Sequence, residues 1–103
     1  MNKNINYFVN NEITNINLET EFDKYIKSKN KDYYDEIINN NFKNLPGRKL
    51  ELITAYKNNG LIYEDIPNYI KYKYDLPKRD EGIDVIVFNN NEIIKCYQCK
   101  DYN

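Results

Sequence analysis

Asp84 sits inside an otherwise apolar stretch, Gly82-Ile83-Asp84-Val85-Ile86-Val87-Phe88. A carboxylate there is costly to bury unless it is paired, hydrogen-bonded or bound to a metal. A second β-type stretch, Glu92 to Lys100, follows Asn89-Asn90-Asn91. Asn tolerates the left-handed backbone that short hairpin loops need, so the two stretches read as a hairpin. With Phe88 opposite Glu92, Asp84 faces Cys96 and Gln98 is the next residue along on that face. Side chains repeat every two residues, so Lys100 shares the face. A slip of one residue would turn Val and Ile to water.

Asp84, Gln98 and Lys100 are therefore expected to converge at one end of the hairpin. A carboxylate, an amide oxygen and an ammonium so placed could cleave a phosphodiester. Mg²⁺ or Mn²⁺ takes oxygen ligands, and Asp84, the Gln98 side-chain oxygen and the backbone carbonyl of Cys99 offer them. Such an ion lowers the pKa of a bound water and offsets phosphate charge. Lys100 would orient or deprotonate that water, or neutralise the developing charge. Taken singly, Asp84 is equally a turn residue after Gly82, and Gln98 and Lys100 equally a solvated strand face; the set of three carries the reading. Asp80 and Glu81 read as turn and capping residues. Cys96 and Cys99 should point to opposite faces of a strand, Cys96 as packing and Cys99 as core. With no His and no second Cys pair, a zinc site is not expected.

The elements that must position these residues are partly legible. Leu18, Phe22, Tyr25 and Ile26 have helical spacing, with Asn17 as N-cap, and Tyr33, Tyr34, Ile37 and Ile38 mark a second helical stretch from about Asp32 to Asn39. Leu45-Pro46-Gly47 is a break. Arg48 to Asn58 reads as a helix, ended by Asn58-Asn59-Gly60. Tyr69 to Tyr74 alternates aromatic and aliphatic residues with Lys and predicts a strand. Residues 1–17 carry no clear element. From Arg48 onward the expected order is helix and three strands, an α+β class.

The 103 residues suffice for one domain with a modest core. Hydrophobic content of 41% and charged content of 30% suit a globular chain. Net charge is −1, so general attraction to nucleic acid is not implied and a local basic strip would be required. Lys71, Lys73, Lys78, Arg79, Lys95 and Lys100 could form one, with Lys78 and Arg79 as phosphate contacts. No stretch approaches the ~18 apolar residues of a membrane span. Nothing at the start resembles a signal peptide, so an intracellular, reducing location is expected.

Asp80-Glu81-Gly82-Ile83-Asp84 with Tyr97-Gln98-Cys99-Lys100 resembles the Asp-x-Gly-Ile-Asp … Gln-Cys-Lys pattern of Mrr-type restriction endonucleases. It is similar too to the nuclease-like N-terminal domain of superfamily-2 helicases, within the PD-(D/E)xK superfamily. Gln in place of Glu is a variant of this branch, and Leu76-Pro77-Lys78-Arg79 also looks like this group. The resemblance covers about residues 47–103. It implies a restriction-endonuclease-like αβββ core, truncated from αβββαβ, preceded by an N-terminal helical extension at 1–46. It also implies an acidic residue on the helix before the strands, matched by Glu51. The implied activity is metal-dependent DNA hydrolysis, with helicase or ATPase domains in the same full-length chain and a sheet edge open to a homodimer. The alternatives are a non-catalytic nucleic-acid-binding module and a protein-docking module on the same fold.

Overall fold

The computed structural model describes residues 4–9, 12–17, 19–40, 42, 45–90 and 92–100. The order is β1 (Asn4–Val9), β2 (Glu12–Asn17), α1 (Glu21–Asn39), α2 (Pro46–Asn58), β3 (Leu61–Ile62), a 3₁₀ turn (Tyr63–Asp65), α3 (Asn68–Lys73), β4 (Val85–Asn89) and β5 (Glu92–Tyr97). β1 and β2 pair antiparallel, with Ile5 opposite Ile16 and Phe8 opposite Ile13. A second antiparallel sheet runs β3-β4-β5. The α+β class is thus observed.

Four expectations are corrected. A β-hairpin precedes the helix of the N-terminal region, at residues where no clear element was expected. The two helical stretches around Phe22 and Tyr33 form one helix, and its N-cap is Thr20, not Asn17. The Thr20 hydroxyl accepts from the Asp23 amide while the Asp23 carboxylate accepts from the Thr20 amide, both at 3.0 Å. The Tyr69–Tyr74 segment is helical. Pro67 fixes the backbone before the first turn, and Ile70, Lys71 and Tyr74 then lie on the inner side, at helical rather than alternating spacing. The first strand of the sheet is instead Leu61–Ile62, too short to show a period. Finally, no packing boundary falls at residues 46 and 47, because α1 contributes to the same core as the elements after it.

That core has two parts, one on each face of the sheet. Phe22, Ile26, Leu61, Tyr63, Ile66, Ile70, Ile86 and Phe88 fill one; Tyr33, Leu52, Ala55, Ile62 and Val85 fill the other. β4 is the central strand and buries both faces, which is why it reads as an unbroken apolar run. Leu52, Leu61, Val85 and Ile86 are fully buried, each burial worth roughly 1.5–3 kcal/mol. Phe22 meets Phe88 edge to face, with ring centres 5.0 Å apart.

α2 begins with Pro46 in its first turn and ends at Asn59 in the left-handed conformation (φ 52°). Gly60 follows because the chain runs against β4 there: a Cβ would lie 2.9 Å from the Ile86 carbonyl oxygen. Two hydroxyls bind α1 to the segment after β3. Tyr25 Oη donates to the Asp65 carbonyl at 2.6 Å, and Tyr33 Oη to the Asp65 carboxylate at 2.7 Å.

The hairpin register differs from the expected one. Asn89 pairs with Glu92, and a bulge between Val87 and Phe88 leaves Ile94 without a partner on β4. Ile86, not Asp84, therefore pairs with Cys96, and Val85 pairs with Tyr97.

Candidate functional site

A tight turn delivers Asp84 to the start of β4. Glu81 (φ 45°) and Gly82 (φ 93°) take left-handed backbone, the Ile83 amide donates to the Asp80 carbonyl at 2.8 Å, and the Gly82 amide donates to the Asp80 carboxylate at 3.1 Å. Asp80 is the turn residue its type suggested. Asp84 is then fixed from both sides. Its amide donates to the Tyr97 carbonyl and its carbonyl accepts from the Tyr63 amide, both at 2.8 Å. Its carboxylate accepts from the Cys99 amide at 2.7 Å. Cys99 is thus engaged through its N–H. Its Sγ lies 3.6 Å from Thr54 Oγ1 on α2. Burial pushes the Cys99 thiol up, Thr54 opposes this, and Asp84 and Glu51 add to it. Cys99 packs against the second core cluster, whereas Cys96, expected as packing, is exposed.

Glu51 stands on α2 one turn before Thr54, on the same side. Partial burial pushes its carboxyl above the ordinary carboxylate range, and the neighbouring Asp84 charge adds to this; Arg48 opposes it, and Glu64 and Asp80 reinforce it. The counter-charge is weak because Arg48 is engaged elsewhere. Its guanidinium meets Glu36 at 3.0 and 3.2 Å and Glu64 at 3.1 Å, but Glu51 only at 3.8 Å. Asp84 thus lies near enough to Glu51 to help raise its carboxyl, with Arg48 as the opposing charge.

One step beyond the Val85–Tyr97 pair, Gln98 comes level with Asp84. A Cβ on Gly82 would lie 3.3 Å from Gln98 Nε2, so the glycine leaves room for the amide. Gln98 and Lys100 are exposed, and among the described residues Lys100 forms no ion pair. The structure thus brings Asp84, Glu51 and the Cys99 backbone together and sets Gln98 beside them; no hydrogen bond or ion pair joins Lys100 to the group.

No cluster of three or more His, Cys, Asp or Glu side chains among the described residues is arranged to hold a metal. The donors at hand are two carboxylates, an amide and backbone carbonyls. This is the hard-oxygen set that Mg²⁺ accepts while keeping several waters, and a cation would relieve the Asp84–Glu51 repulsion.

Lys78 and Arg79 line a cleft with Tyr63, Glu64, Lys71 and Asp80. The sequence pattern did not reveal Lys71 as a wall of this cleft or Arg48 as the centre of a carboxylate cluster. Treating Pro67 as a helix start would have placed Ile70, Lys71 and Tyr74 on one side. No described helix is long and apolar enough to cross a membrane. No protein-family model, curated protein or solved structure matches the chain.

Proposed function

We propose that this chain is a metal-dependent nuclease-type domain that hydrolyses DNA phosphodiester bonds, of the PD-(D/E)xK kind that its Gly-Ile-Asp and Gln-Cys-Lys segments resemble. The observation that supports the reading is that Asp84, at the start of the central strand, lies near enough to Glu51 on α2 to help raise its carboxyl. The placement of Asp84 just before β4 and Gln98 just after β5, on neighbouring antiparallel strands, supports it. In this reading Asp84, Gln98, Glu51 and the Cys99 carbonyl hold Mg²⁺ or Mn²⁺, which supplies an acidified water and charge neutralisation at phosphorus. The Cys99 amide fixes one Asp84 oxygen and so aims the other. A bound cation would offset the Asp84 charge that helps to raise the Glu51 carboxyl. Lys100 orients or deprotonates the attacking water, or balances charge on the phosphate. The natural partners are DNA and, in a longer chain, helicase or ATPase domains, inside the cell.

The test is nicking of plasmid DNA by the full chain with Mg²⁺ or Mn²⁺. Loss of nicking in Asp84→Ala and Lys100→Ala supports the reading; equal nicking by wild type and both variants sinks it.

A second reading, a non-catalytic nucleic-acid-binding or docking module on the same fold, is favoured by the exposure of Gln98 and Lys100. It requires DNA retention without metal that survives Asp84→Ala. β5 also presents an outer edge unpaired among the described residues, with Ile94 exposed between Glu92 and Lys95. A homodimer through that edge would appear as concentration-dependent sedimentation.

A further inference from the structure

The 3₁₀ turn, α3 and the loop before Asp84 border an open, shallow cleft of about 340 Å³. That is the lower end of the range for small-molecule sites, roughly 300–1,000 Å³. Three cations and two carboxylates line it, a formal excess of one positive charge. The pairing of these charges adds to it. Both carboxylates are engaged: Glu64 accepts from Arg48 Nη1 at 3.1 Å, and Asp80 from the Gly82 amide at 3.1 Å. Among the described residues none of Lys71, Lys78 and Arg79 forms an ion pair.

Lys71 is the most informative of the three. It is only 8% exposed. Its Nζ donates to the Lys78 carbonyl at 3.2 Å and lies 4.7 Å from the centre of the Tyr63 ring. An ammonium has three donors, and one is used here. A buried cation held by a carbonyl and a ring face, without a counter-ion, favours an anion arriving from outside. Arg79 adds a planar donor fork suited to phosphate oxygens. The cleft also adjoins the carboxylate site, since the Tyr63 amide donates to the Asp84 carbonyl.

We infer that this cleft is a subsite for a phosphate group of a nucleic-acid strand, held by Lys71, Lys78 and Arg79 without a metal. It would anchor the strand away from the bond to be cut, and it rests on the nuclease reading for the owner of that phosphate.

The experiment is fluorescence anisotropy of a labelled single-stranded oligonucleotide with the full chain in EDTA, so that no cleavage intervenes. Calorimetry with inorganic phosphate forms a second arm. The surface variant Lys78→Ala/Arg79→Ala is expected to weaken oligonucleotide binding about tenfold or more and to reduce the salt slope by about one for each cation removed. Lys71→Gln should also weaken binding, whereas Lys71→Arg, which keeps the buried charge, should retain it. Unchanged affinity and salt slope in Lys78→Ala/Arg79→Ala overturns the subsite. Phosphate binding that depends on these cations, with oligonucleotide binding that does not, overturns the nucleic-acid source. Cleft-dependent oligonucleotide binding with no cleavage in Mg²⁺ leaves the subsite standing and removes the nuclease chemistry, so the two failures are distinguishable.

Discussion

Asp65 and Asp84 are half-buried carboxylates at the margin of one three-stranded sheet, and their neighbours treat them in opposite ways. The Asp65 carboxylate accepts from the buried Tyr33 hydroxyl at 2.7 Å and lies 3.8 Å from the Lys29 ammonium. Tyr33 Oη in turn accepts from the Ile62 amide at 3.0 Å. Burial, with the Asp65 hydrogen bond second, pushes the Tyr33 phenol far above its ordinary value. Everything around Asp65 is paired, and the result joins α1 to β3. Among the described residues the Asp84 carboxylate has one hydrogen-bonding partner, the Cys99 amide, and its charge adds to the rise of the Glu51 carboxyl. The Asp65 carboxylate is paired with groups from another element and ties α1 to the segment after β3, whereas Asp84 has fewer partners among the described residues.

The sharpest way to break this contrast is Asp84→Asn. Asn can still accept from the Cys99 amide, so thermal unfolding should barely move. Metal-dependent nicking should fall by at least about 10²-fold, because even outer partners of metal ligands are worth 10–100-fold. Tyr33→Phe should do the reverse. It leaves the Ile62 amide and Asp65 unsatisfied, and urea unfolding should show a loss of about 1–3 kcal/mol with DNA cleavage per folded molecule unchanged. Pairing it with Asp65→Ala tests whether the bridge is one unit: the double-mutant coupling should be about 0.5–3 kcal/mol, and a coupling near zero removes the bridge.

The smallest effect is expected at Glu51. Its carboxyl is raised in the fold, so the folded state binds a proton more readily than the unfolded one. Ionising Glu51 therefore destabilises the fold as pH rises through and above the ordinary carboxylate range, and the penalty is absent at lower pH, where both states are protonated. Glu51→Gln should stabilise the fold near neutral pH, by less than about 1 kcal/mol in urea unfolding for a partly exposed group. The gain should vanish under acid conditions. Mg²⁺ should stabilise wild type more than Glu51→Gln; equal stabilisation would separate Glu51 from the metal site.

What was legible in the sequence was local. Pro46 and Asn59-Gly60 punctuate α2 because caps and breakers act on their own neighbours, and the run from Val85 to Phe88 announces a strand buried on both sides. The Tyr33–Asp65 bridge was hidden because it joins residues distant in the chain through a hydroxyl on an otherwise apolar helix face. Residues 69–74 misled because their alternation matched a strand until Pro67 set the phase of a helix. At the candidate site, the types and neighbourhood of Asp84 and Gln98 were readable but their pairing was not. The bulge depends on packing, and no residue type at Val87 or Phe88 signals it.

That bulge has a consequence for how the hairpin tolerates change. The tighter turn and the bulge each displace the pairing by one residue, and the sum is even, much as a second frameshift restores a reading frame. Asp84 and Gln98 are thus returned to a common side with their offset changed but their parity intact. A single deletion or insertion at the Asn turn would invert that parity unless the bulge were gained or lost with it. Length variation in this hairpin should therefore come in compensated pairs, and the unpaired Ile94 marks where the compensation is made.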